Sequence, residues 1–217
     1  MKVRVGRPRA LLVVAPHPDD EAIAAHSLIA RLARRGVRIA ILVVSDGAAS
    51  HPGSAAWPRR RLVRERQRET RRVMRRIGVM ADAVTFLGLP DGRLGDHLSE
   101  VRRAMARAVR KLPTPLLALA PLSNDAHPDH RVVAAGAVAR PGLCWWRYPV
   151  WPAGQRWRGS RMLPLTAQER LAKRNAIRSY RTQAGWITDD PTGFAMTRQQ
   201  IAAFSGPQEV FVVAGRR

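Results

Sequence analysis

The sequence predicts an α/β fold, in which one open and mostly parallel sheet carries helices on both faces. Short apolar runs alternate with longer segments whose apolar residues recur at helical spacing. Each of the first four apolar runs is followed by a polar loop, and several of these loops contain aspartate and proline. The chain has neither an internal repeat nor a low-complexity linker, so we expect a single domain over 1–217.

Residues 10–45 have the pattern of one βαβ unit. Ala10–Ala15 is a compact apolar run that ends at a proline, which predicts a buried parallel strand. Glu21–Arg35 has apolar residues at helical spacing, and Gly36 ends the predicted helix. Val37–Ser45 is the second predicted strand. A right-handed crossover is expected for a unit of this kind.

The middle of the chain continues the alternation of helices and strands. The predicted elements are a helix at Arg59–Ile77 with ten arginines, a strand at Ala83–Leu87, a helix at Ser99–Leu112, a strand at Leu116–Ala120, a small-residue helix at Arg131–Ala139 and a strand at Leu143–Val150. Ser99 is the expected N-cap of its helix, because serine oxygens accept hydrogen bonds from the free N–H groups of a first turn.

The pattern weakens from Trp151 onwards. The sequence predicts a loop over 151–162, a helix at Thr166–Gln183 and a last strand at Glu209–Val213. We expect this C-terminal third, about 151–217, to be the more divergent part of the chain and a candidate lid.

The charge balance is strongly basic, with 38 Lys and Arg against 16 Asp and Glu and a formal net charge of +22. Such a field attracts polyanions such as nucleic acid, anionic membrane surfaces or phosphorylated substrates. Arginines on solvated faces would give the same total without any such partner. The single cysteine, Cys144, cannot form an internal disulfide and is expected to be buried. With no apolar stretch long enough to span a bilayer, these features predict a soluble, cytoplasmic protein.

Two short motifs place metal-binding residue types after neighbouring elements of the predicted sheet. PHPDDE at 16–21 follows the first strand, and HPDH at 127–130 follows the fourth. Because ligands bind beyond the carboxyl ends of strands in open α/β sheets, we expect the two motifs to form one site. Turn and N-cap preferences alone would explain either motif, but two motifs on one edge favour a site.

His17, Asp20 and His130 form a candidate metal set. His17 and Asp20 are three residues apart at the start of a helix, so one turn brings them to the same side. Two imidazoles and one carboxylate leave a position for water, as in catalytic zinc sites. The same set suits Fe²⁺ and other divalent metals, although zinc is the default for hydrolysis.

Four further residues of the motifs are candidates for supporting chemistry. Asp19 is free to take a proton from water as a general base. His127 could stabilise an oxyanion and protonate a leaving amine, and Asp129 could hold and charge that histidine. Glu21 is either a supporting acid of the site or a first-turn acid that suits the helix dipole.

These motifs resemble those of the LmbE-like or PIG-L-like N-acetylglucosaminyl deacetylases, which are zinc hydrolases of amide bonds on amino sugars. The matching stretches are PHPDDE at 16–21, VVSDG at 43–47, Arg66 and Glu69 in RQRE, FLGLPDG at 86–92 and HPDH at 127–130. They follow the family order over about the first two-thirds of the chain. The resemblance implies a Rossmann-like α/β sheet, which agrees with the alternation of strands and helices.

The resemblance also implies the metal and the base. Zinc would be held by His17, Asp20 and His130, and Asp19 would activate the water bound to the metal.

Two departures from the family pattern leave the identity of the substrate open. Many relatives have a glutamate where this chain has Ala48, and many have a Gly-Gly pair in the first helix, where this chain has Ala-His at 25–26.

Further roles follow from the same resemblance. His127 would be the general acid and oxyanion stabiliser, with Asp129 as its partner. Arg66 and Asp91 match positions that contact the sugar in family members. In the C-terminal third, the aromatic side chains of Tyr148, Trp151 and Trp157 are either a platform for a sugar or packing residues.

The predicted function is therefore zinc-dependent removal of the N-acetyl group from an N-acetylated amino sugar or glycoconjugate, with an anionic substrate among the options. An amidase of the same family acting on a larger acyl or conjugate substrate is the first alternative. The second is a protein that binds nucleic acid or an anionic surface on an inactive hydrolase scaffold. Nucleic acid is not an expected partner, because the chain has no motif for reading it.

Overall fold

Seven strands form one mixed sheet in the computed structural model, which describes residues 1–155 and 157–213. The strands are β1 (Ala10–Ala15), β2 (Arg38–Ser45), β3 (Val84–Leu89), β4 (Leu116–Pro121), β5 (Leu143–Tyr148), β6 (Ser160–Pro164) and β7 (Gln208–Val213). The helices are α1 (Asp20–Arg34), α2 (Arg59–Arg76), α3 (Leu98–Arg110), α4 (Pro128–Ala135), α5 (Ala167–Arg178) and α6 (Arg198–Phe204). Among the described residues, none of the helices combines the length and apolarity needed to cross a bilayer.

The strand order is β3-β2-β1-β4-β5-β7-β6. Strands β1 to β5 run parallel to one another, whereas β7 is antiparallel to both of its neighbours, β5 and β6. This topology confirms the predicted open, mostly parallel α/β sheet. The order of the strands reverses between β1 and β4, so the loops after these two neighbours flank the crevice where ligands bind in such folds.

Strand β1 is uniformly apolar because both faces of the sheet are covered at its position. Alternate residues of β1 belong to two separate apolar clusters. One cluster includes residues of α1, α2, α5 and α6, and the other includes residues of α3 and α4. Burial of each leucine or valine side chain contributes about 1.5–3 kcal/mol to the stability of the fold. Strand β1 therefore holds the start of the loop that follows it in a fixed position.

Helix α1 has a kink at Ala25, whose φ of −146° and ψ of 21° are not helical. Glu209 of β7 caps the second half of the helix, because its carboxylate accepts the N–H groups of Ser27 at 2.8 Å and Leu28 at 2.9 Å. Lys173 of α5 donates to the same carboxylate at 3.0 Å. The neighbouring His26 is buried, and burial together with the charge of Lys173 lowers its pKa to about 4.

Several boundaries in the first two-thirds of the chain differ from the predictions. Helix α3 begins at Leu98, so Ser99 lies in its first turn and is not the N-cap. Helix α4 begins three residues earlier than predicted, with Pro128 at the first position, where its missing N–H has no cost. Cys144 is exposed rather than buried, since it lies at the start of β5, whereas Trp146 on the same face is buried.

The C-terminal third contains more regular structure than the sequence predicts. Strand β6 and helix α6 were not predicted, although a capping box at Thr197 and Gln200 is a visible start signal for α6. Helix α5 ends at Arg178 rather than Gln183. The chain leaves the helix there because Thr182 binds the carboxylate of Glu69 through its N–H at 3.0 Å and its hydroxyl at 2.6 Å.

Candidate active site

The loop after β1 and the loop after β4 bring the three predicted metal ligands together. Nδ1 of His17 lies 3.2 Å from Oδ2 of Asp20 and 3.3 Å from Nε2 of His130. The same His130 nitrogen lies 3.3 Å from Oδ2 of Asp20. Three atoms that can each donate a lone pair to a metal therefore form a nearly equilateral triangle.

The size of this triangle fits the ligands of one metal ion. Ligand atoms about 2.0–2.2 Å from a tetrahedral zinc stand roughly 3.3–3.6 Å from one another. Burial by itself raises the pKa of Asp20, but the charge and hydrogen bonds of His130 and His17 hold it well below its usual range. Asp20 is thus ionised, as a metal ligand must be.

The other ring nitrogen of His17 faces two carboxylates. Nε2 lies 3.1 Å from Oδ1 of Asp91 and 3.3 Å from Oδ2 of Asp129. These acceptors favour a proton on Nε2, which leaves the Nδ1 lone pair for the triangle. Although burial lowers the pKa of His17, hydrogen bonds with Asp129, Asp20 and Asp91 raise it well above its usual value. His17, Asp91 and Asp129 form a second group that could hold an ion, but a proton on Nε2 would block it.

Asp129 therefore has a different partner from the one predicted. Its carboxylate contacts His17 and accepts the N–H groups of Gly92 at 2.8 Å and Leu94 at 3.1 Å. Its contact with His127 is through the backbone, where the N–H of Asp129 donates to Nδ1 of His127 at 3.2 Å. The predicted partner of the carboxylate was His127, but a carboxylate at the first turn of α4 points towards His17 after β1 and towards the loop after β3.

His127 lies beside the triangle with one nitrogen available. Its ring centroid is 4.6 Å from that of His17 and 5.0 Å from that of His130. Because Nδ1 accepts a backbone N–H, the neutral ring carries its proton on Nε2. Burial and the nearby charges of His17 and His130 lower the pKa of His127, which favours this neutral form. His127, His17 and His130 also form a group whose nitrogens could share an ion.

Asp19 is held in a strained conformation next to the metal set. Its φ is 133° and its ψ is −27°, a region that residues with side chains rarely adopt and that costs about 1–3 kcal/mol. Burial raises the pKa of its carboxyl well above the usual value, although Arg66 opposes the shift from 3.5 Å. A carboxylate with a raised pKa binds a proton more strongly than an ordinary aspartate, which is a property that a general base requires.

Arg66 lies behind Asp19, with its guanidinium bound to backbone. The side chain is 3% exposed and donates to the carbonyls of Gly47 at 2.6 Å and Pro18 at 2.8 Å. A Cβ at Gly47 would lie 2.6 Å from Nη1 of Arg66, which explains the glycine in the loop after β2. Arg66 thus joins the loops after β1 and β2 and still lines the cavity.

Asp91, the second predicted sugar contact, also lines the cavity but is already engaged. One oxygen contacts His17, and the other accepts the N–H of Ala49 at 2.9 Å. Burial would raise the pKa of Asp91, but the hydrogen bond with His17 and the charges of His17 and Arg66 lower it to about 2. It is therefore a charged acceptor at the mouth of the site.

Asp125 was not among the predicted site residues, yet its carboxylate contacts both His130 and His127. Its Oδ1 lies 3.3 Å from Nδ1 of His130 and accepts the N–H of His127 at 3.0 Å. Its Oδ2 accepts the N–H groups of Val150 at 3.1 Å and Trp151 at 3.0 Å. A buried carboxylate behind a ligating histidine orients the ring and makes it a better ligand. The only signal in the sequence is its place two residues before HPDH.

The cavity above these residues has a volume of about 240 Å³ and two unlike walls. The polar wall includes His17, Asp19, Asp20, Asp91 and His127. The apolar wall consists of Ile23, Trp151, Phe194 and Met196. The rings of Trp151 and Phe194 meet edge to face with centroids 6.0 Å apart. A larger cavity of about 570 Å³ over β2 and β3 contains no histidine and only one acid, Asp82, so it lacks the means for this chemistry.

The predicted aromatic platform is reduced to one of its three members. Tyr148 is fully buried and donates its hydroxyl to the carbonyl of Val14 at 2.7 Å, so it is a packing residue. Trp157 lines a different cavity. Trp151 alone lines the site, where Phe194 from the C-terminal third joins it.

Hydrogen bonds connect the segment that carries Phe194, part of the apolar wall, to the loop after β2. The N–H of Phe194 donates to the carbonyl of Ser50 at 2.7 Å. The Asp190 carboxylate accepts the N–H of Gly53 at 2.8 Å, and Asp189 accepts the hydroxyl of Ser54 at 2.7 Å. The C-terminal third thus contributes one side of the cavity and is held there by hydrogen bonds to the loop after β2.

Comparison with known proteins finds relatives of this chain in both sequence and fold. An alignment at 29% identity over 157 residues covers 57% of this chain and 48% of a curated relative from Catenulispora acidiphila, the 1D-myo-inositol 2-acetamido-2-deoxy-alpha-D-glucopyranoside deacetylase 2. The aligned part therefore spans about half the length of that relative.

Two solved structures share the fold at lower identity. The N,N'-diacetylchitobiose deacetylase of Pyrococcus horikoshii superposes with a TM-score of 0.70 at 20% identity, over 95% of this chain and 84% of that one. The 4-carboxy-2-hydroxymuconate hydratase GalB of Pseudomonas putida KT2440 superposes with a TM-score of 0.62 at 15% identity, over 96% and 97%. A deacetylase and a hydratase on one fold illustrate that the fold alone does not fix the reaction.

The sequence profile of one family covers more than half of the chain. Residues 12–140 match the family described as PIG-L: GlcNAc-PI de-N-acetylase. This segment runs from β1 to beyond α4 and so contains both motifs and the loops that join them. The chain therefore belongs to the PIG-L family.

Proposed function

We propose that the protein is a zinc-dependent deacetylase that hydrolyses the N-acetyl group of an amino sugar or glycoconjugate. The observation that carries this proposal is the triangle of His17 Nδ1, Asp20 Oδ2 and His130 Nε2, with sides of 3.2–3.3 Å. Asp19 and His127 line the same cavity and supply a base and a hydrogen-bond donor for the developing oxyanion. Membership of the PIG-L family supports amide hydrolysis as the reaction.

His17, Asp20 and His130 would hold the metal, with Asp125 and Asp129 orienting the two imidazoles. A divalent ion at this place supplies a Lewis acid, which polarises the acyl carbonyl and makes water a better nucleophile. Two histidines and one carboxylate also suit Fe²⁺, so the proposal of zinc rests on its prevalence in hydrolysis.

Asp19 accepts a proton from the attacking water. Its carboxylate lines the cavity, and its raised pKa makes it a stronger proton acceptor than an ordinary aspartate. Arg66, 3.5 Å away, limits the rise in pKa so that the ionised form remains accessible. Once protonated, Asp19 retains the proton that is needed later in the reaction.

His127 acts on the opposite side of the scissile bond. In its neutral form the Nε2–H group donates a hydrogen bond to the acyl oxygen while negative charge develops there. As the C–N bond breaks, Asp19 gives the proton that it accepted from water to the leaving nitrogen, and His127 stays neutral, because loss of its only N–H proton would leave an imidazolate. The products are acetate and a free amine, and Asp19 returns to its ionised form.

The two walls of the cavity favour a substrate with a polar and an apolar side. Asp91 accepts hydrogen bonds from hydroxyl groups on the polar wall, as a sugar would offer. Trp151 and Phe194 provide an apolar surface for the ring carbons or for a group attached to the sugar. The relative from Catenulispora acidiphila, by its name, deacetylates a 2-acetamido-2-deoxy-glucopyranoside, which supports an amino sugar here. The charge of +22 favours a substrate that carries an anionic group.

A second candidate function is amide hydrolysis of a larger acyl group by the same residues. The observation in its favour is the exposure of Phe194, of which 37% remains accessible at the end of the apolar wall. A longer acyl chain would cover this surface. The catalytic steps at Asp19 and His127 would be unchanged.

The test is an assay of amide hydrolysis and metal content on one preparation. Free N-acetylglucosamine and its nucleotide-linked, lipid-linked and glycosidic forms would be compared by acetate release, and longer N-acyl glucosamines by release of free amine. We expect acetate from at least one N-acetyl substrate and about one zinc per chain. Faster cleavage of longer acyl groups would favour the second candidate, and no hydrolysis by the metal-loaded protein would contradict both.

A further inference from the structure

The unusual backbone conformation of Asp19 must be stabilised by neighbouring groups. It is the only residue other than glycine with a positive φ among the described parts of the chain. Such a conformation persists only where the surrounding structure holds it. Arg66 contacts the Asp19 carboxylate and the carbonyl of Pro18, but it does not contact the N–H of Asp19.

The backbone of Asp19 is held from the other side by Glu21. Oε2 of Glu21 accepts the N–H of Asp19 at 3.2 Å. Oε1 of the same carboxylate accepts the hydroxyl of Tyr180. Both Glu21 and Tyr180 are fully buried, so neither bond competes with solvent. The carboxylate is thereby fixed at two points.

Tyr180 is itself anchored, independently of Glu21. It follows α5, and its backbone N–H donates to the carbonyl of Ile177 at 3.1 Å. Two residues later, Thr182 binds Glu69 of α2 through its N–H and its hydroxyl. The hydroxyl of Tyr180 thus has a fixed position, set by a segment outside the residues that match the family.

We propose that Glu21 and Tyr180 form a positioning pair, which holds Asp19 in its strained conformation and so aims its carboxylate into the cavity. The part of this inference that concerns catalysis rests on the proposed function. The C-terminal third therefore contributes to the site in two ways, by supplying the apolar wall and by fixing the conformation of the base.

The test compares two buried tyrosines that each donate one hydrogen bond. Tyr180→Phe removes the hydroxyl that binds Glu21, and Tyr148→Phe removes one that binds the carbonyl of Val14. We expect Tyr180→Phe to speed amide hydrogen exchange at Asp19 and to lower kcat by roughly 10- to 100-fold, the range for a small displacement of a catalytic group. KM and metal content should stay unchanged. Tyr148→Phe should alter neither exchange at Asp19 nor kcat.

A second pair of variants separates positioning from loss of a buried contact. Glu21→Gln retains an oxygen for the N–H of Asp19 and an amide that can bind Tyr180, so it should keep slow exchange at Asp19 and most of kcat. Glu21→Leu removes both bonds and should behave like Tyr180→Phe or worse.

Equal exchange at Asp19 in Tyr180→Phe and Tyr148→Phe would overturn the positioning pair. Unchanged kcat in Tyr180→Phe would overturn its catalytic role. The exchange measurement does not depend on turnover. A protein in which no variant releases acetate would contradict the proposed function, while the exchange rates would still decide whether the pair holds Asp19.

Discussion

The parallel part of the sheet and the C-terminal third contribute to one cavity in different ways. In the parallel part, the reacting groups stand on loops after adjacent buried strands and are held by backbone groups and carboxylates, such as Asp125 and Asp129. In the C-terminal third, Phe194 and Met196 reach the cavity from an irregular segment fastened through Asp189 and Asp190. The proposed reacting groups therefore belong to the first region, whereas the second region supplies the apolar wall and, through Tyr180, the proposed support for Asp19.

The sharpest test of this comparison removes a proposed metal ligand from the parallel part. His130→Ala leaves only His17 and Asp20, so we expect metal binding and hydrolysis to be lost together. Elemental analysis and the acetate assay on the same sample measure both. His97→Ala is the control, because His97 pairs with Glu100 on the surface of α3 and should change neither. A full metal complement in His130→Ala would place the ion elsewhere, for instance on the group with Asp91 and Asp129.

A smaller loss is expected from the base. Asp19→Asn should keep its metal and lower kcat by roughly 10²–10⁴-fold, the usual contribution of a positioned proton acceptor. Asp96→Asn serves as the control, since Asp96 forms an exposed pair with Arg93. Steady-state kinetics measure kcat, and elemental analysis measures the metal content. If Asp19→Asn kept the kcat of the wild type, Asp19 would not be the general base.

A change in the C-terminal wall should affect binding and leave chemistry intact. Phe194→Ala removes most of the exposed apolar surface at the mouth, so we expect KM to rise about tenfold, equivalent to about 1.4 kcal/mol, with kcat little changed. Leu171→Ala, on the exposed face of α5, is the matched control. If Phe194→Ala lowered kcat as much as Asp19→Asn, the division between chemistry and fit would fail.

The smallest effect concerns the contact between the two regions. Arg31 of α1 donates two hydrogen bonds of 2.7 Å to Glu169 of α5, and this lowers the pKa of Glu169 from 4.5 to about 2. A depressed pKa contributes stability above the unfolded value of 4.5, and that stability is lost as the pH falls towards 2. Since the pair is partly exposed, we expect Glu169→Gln to cost about 0.5–1 kcal/mol at pH 7.

Urea unfolding at pH 7 and near pH 2.5 measures this contribution, and the gap between wild type and Glu169→Gln should narrow at the lower pH. Asp82→Asn, at a 3₁₀ turn on the surface, is a suitable control. A gap that stayed constant with pH would mean that the pair contributes through packing and not through charge.

The sequence predicts the parallel part well because its signals are local. An uninterrupted apolar run marks β1, and the spacing within PHPDDE and HPDH is enough to nominate His17, Asp20 and His130. The partner of Asp129 could not be predicted, since its carboxylate reaches His17 across 112 positions of chain. The kink at Ala25 likewise depends on Glu209, which lies far away in sequence.

The C-terminal third was predicted less well, for a physical reason. Strand β6 has a half-buried pattern and pairs with β7 and, through a single bridge at Met162, with Lys2, so no uninterrupted apolar run predicts it. Phe194 and Met196 lie outside any helix or strand, and long-range backbone hydrogen bonds to Ser50 and Gln183 help to bring them to the cavity. Tyr148 was a candidate for the platform on aromatic character alone, which does not distinguish a buried ring from an accessible one.

The most direct test of the central claim is reconstitution of metal-stripped protein with measured amounts of zinc, while amide hydrolysis is followed in the same solution. The proposed site predicts that the stripped protein is inactive and that activity rises in proportion to added zinc up to one equivalent per chain. It also predicts that His130→Ala gains no activity at any amount of zinc. Full activity in the stripped protein would contradict the assignment of His17, Asp20 and His130 as a catalytic metal site.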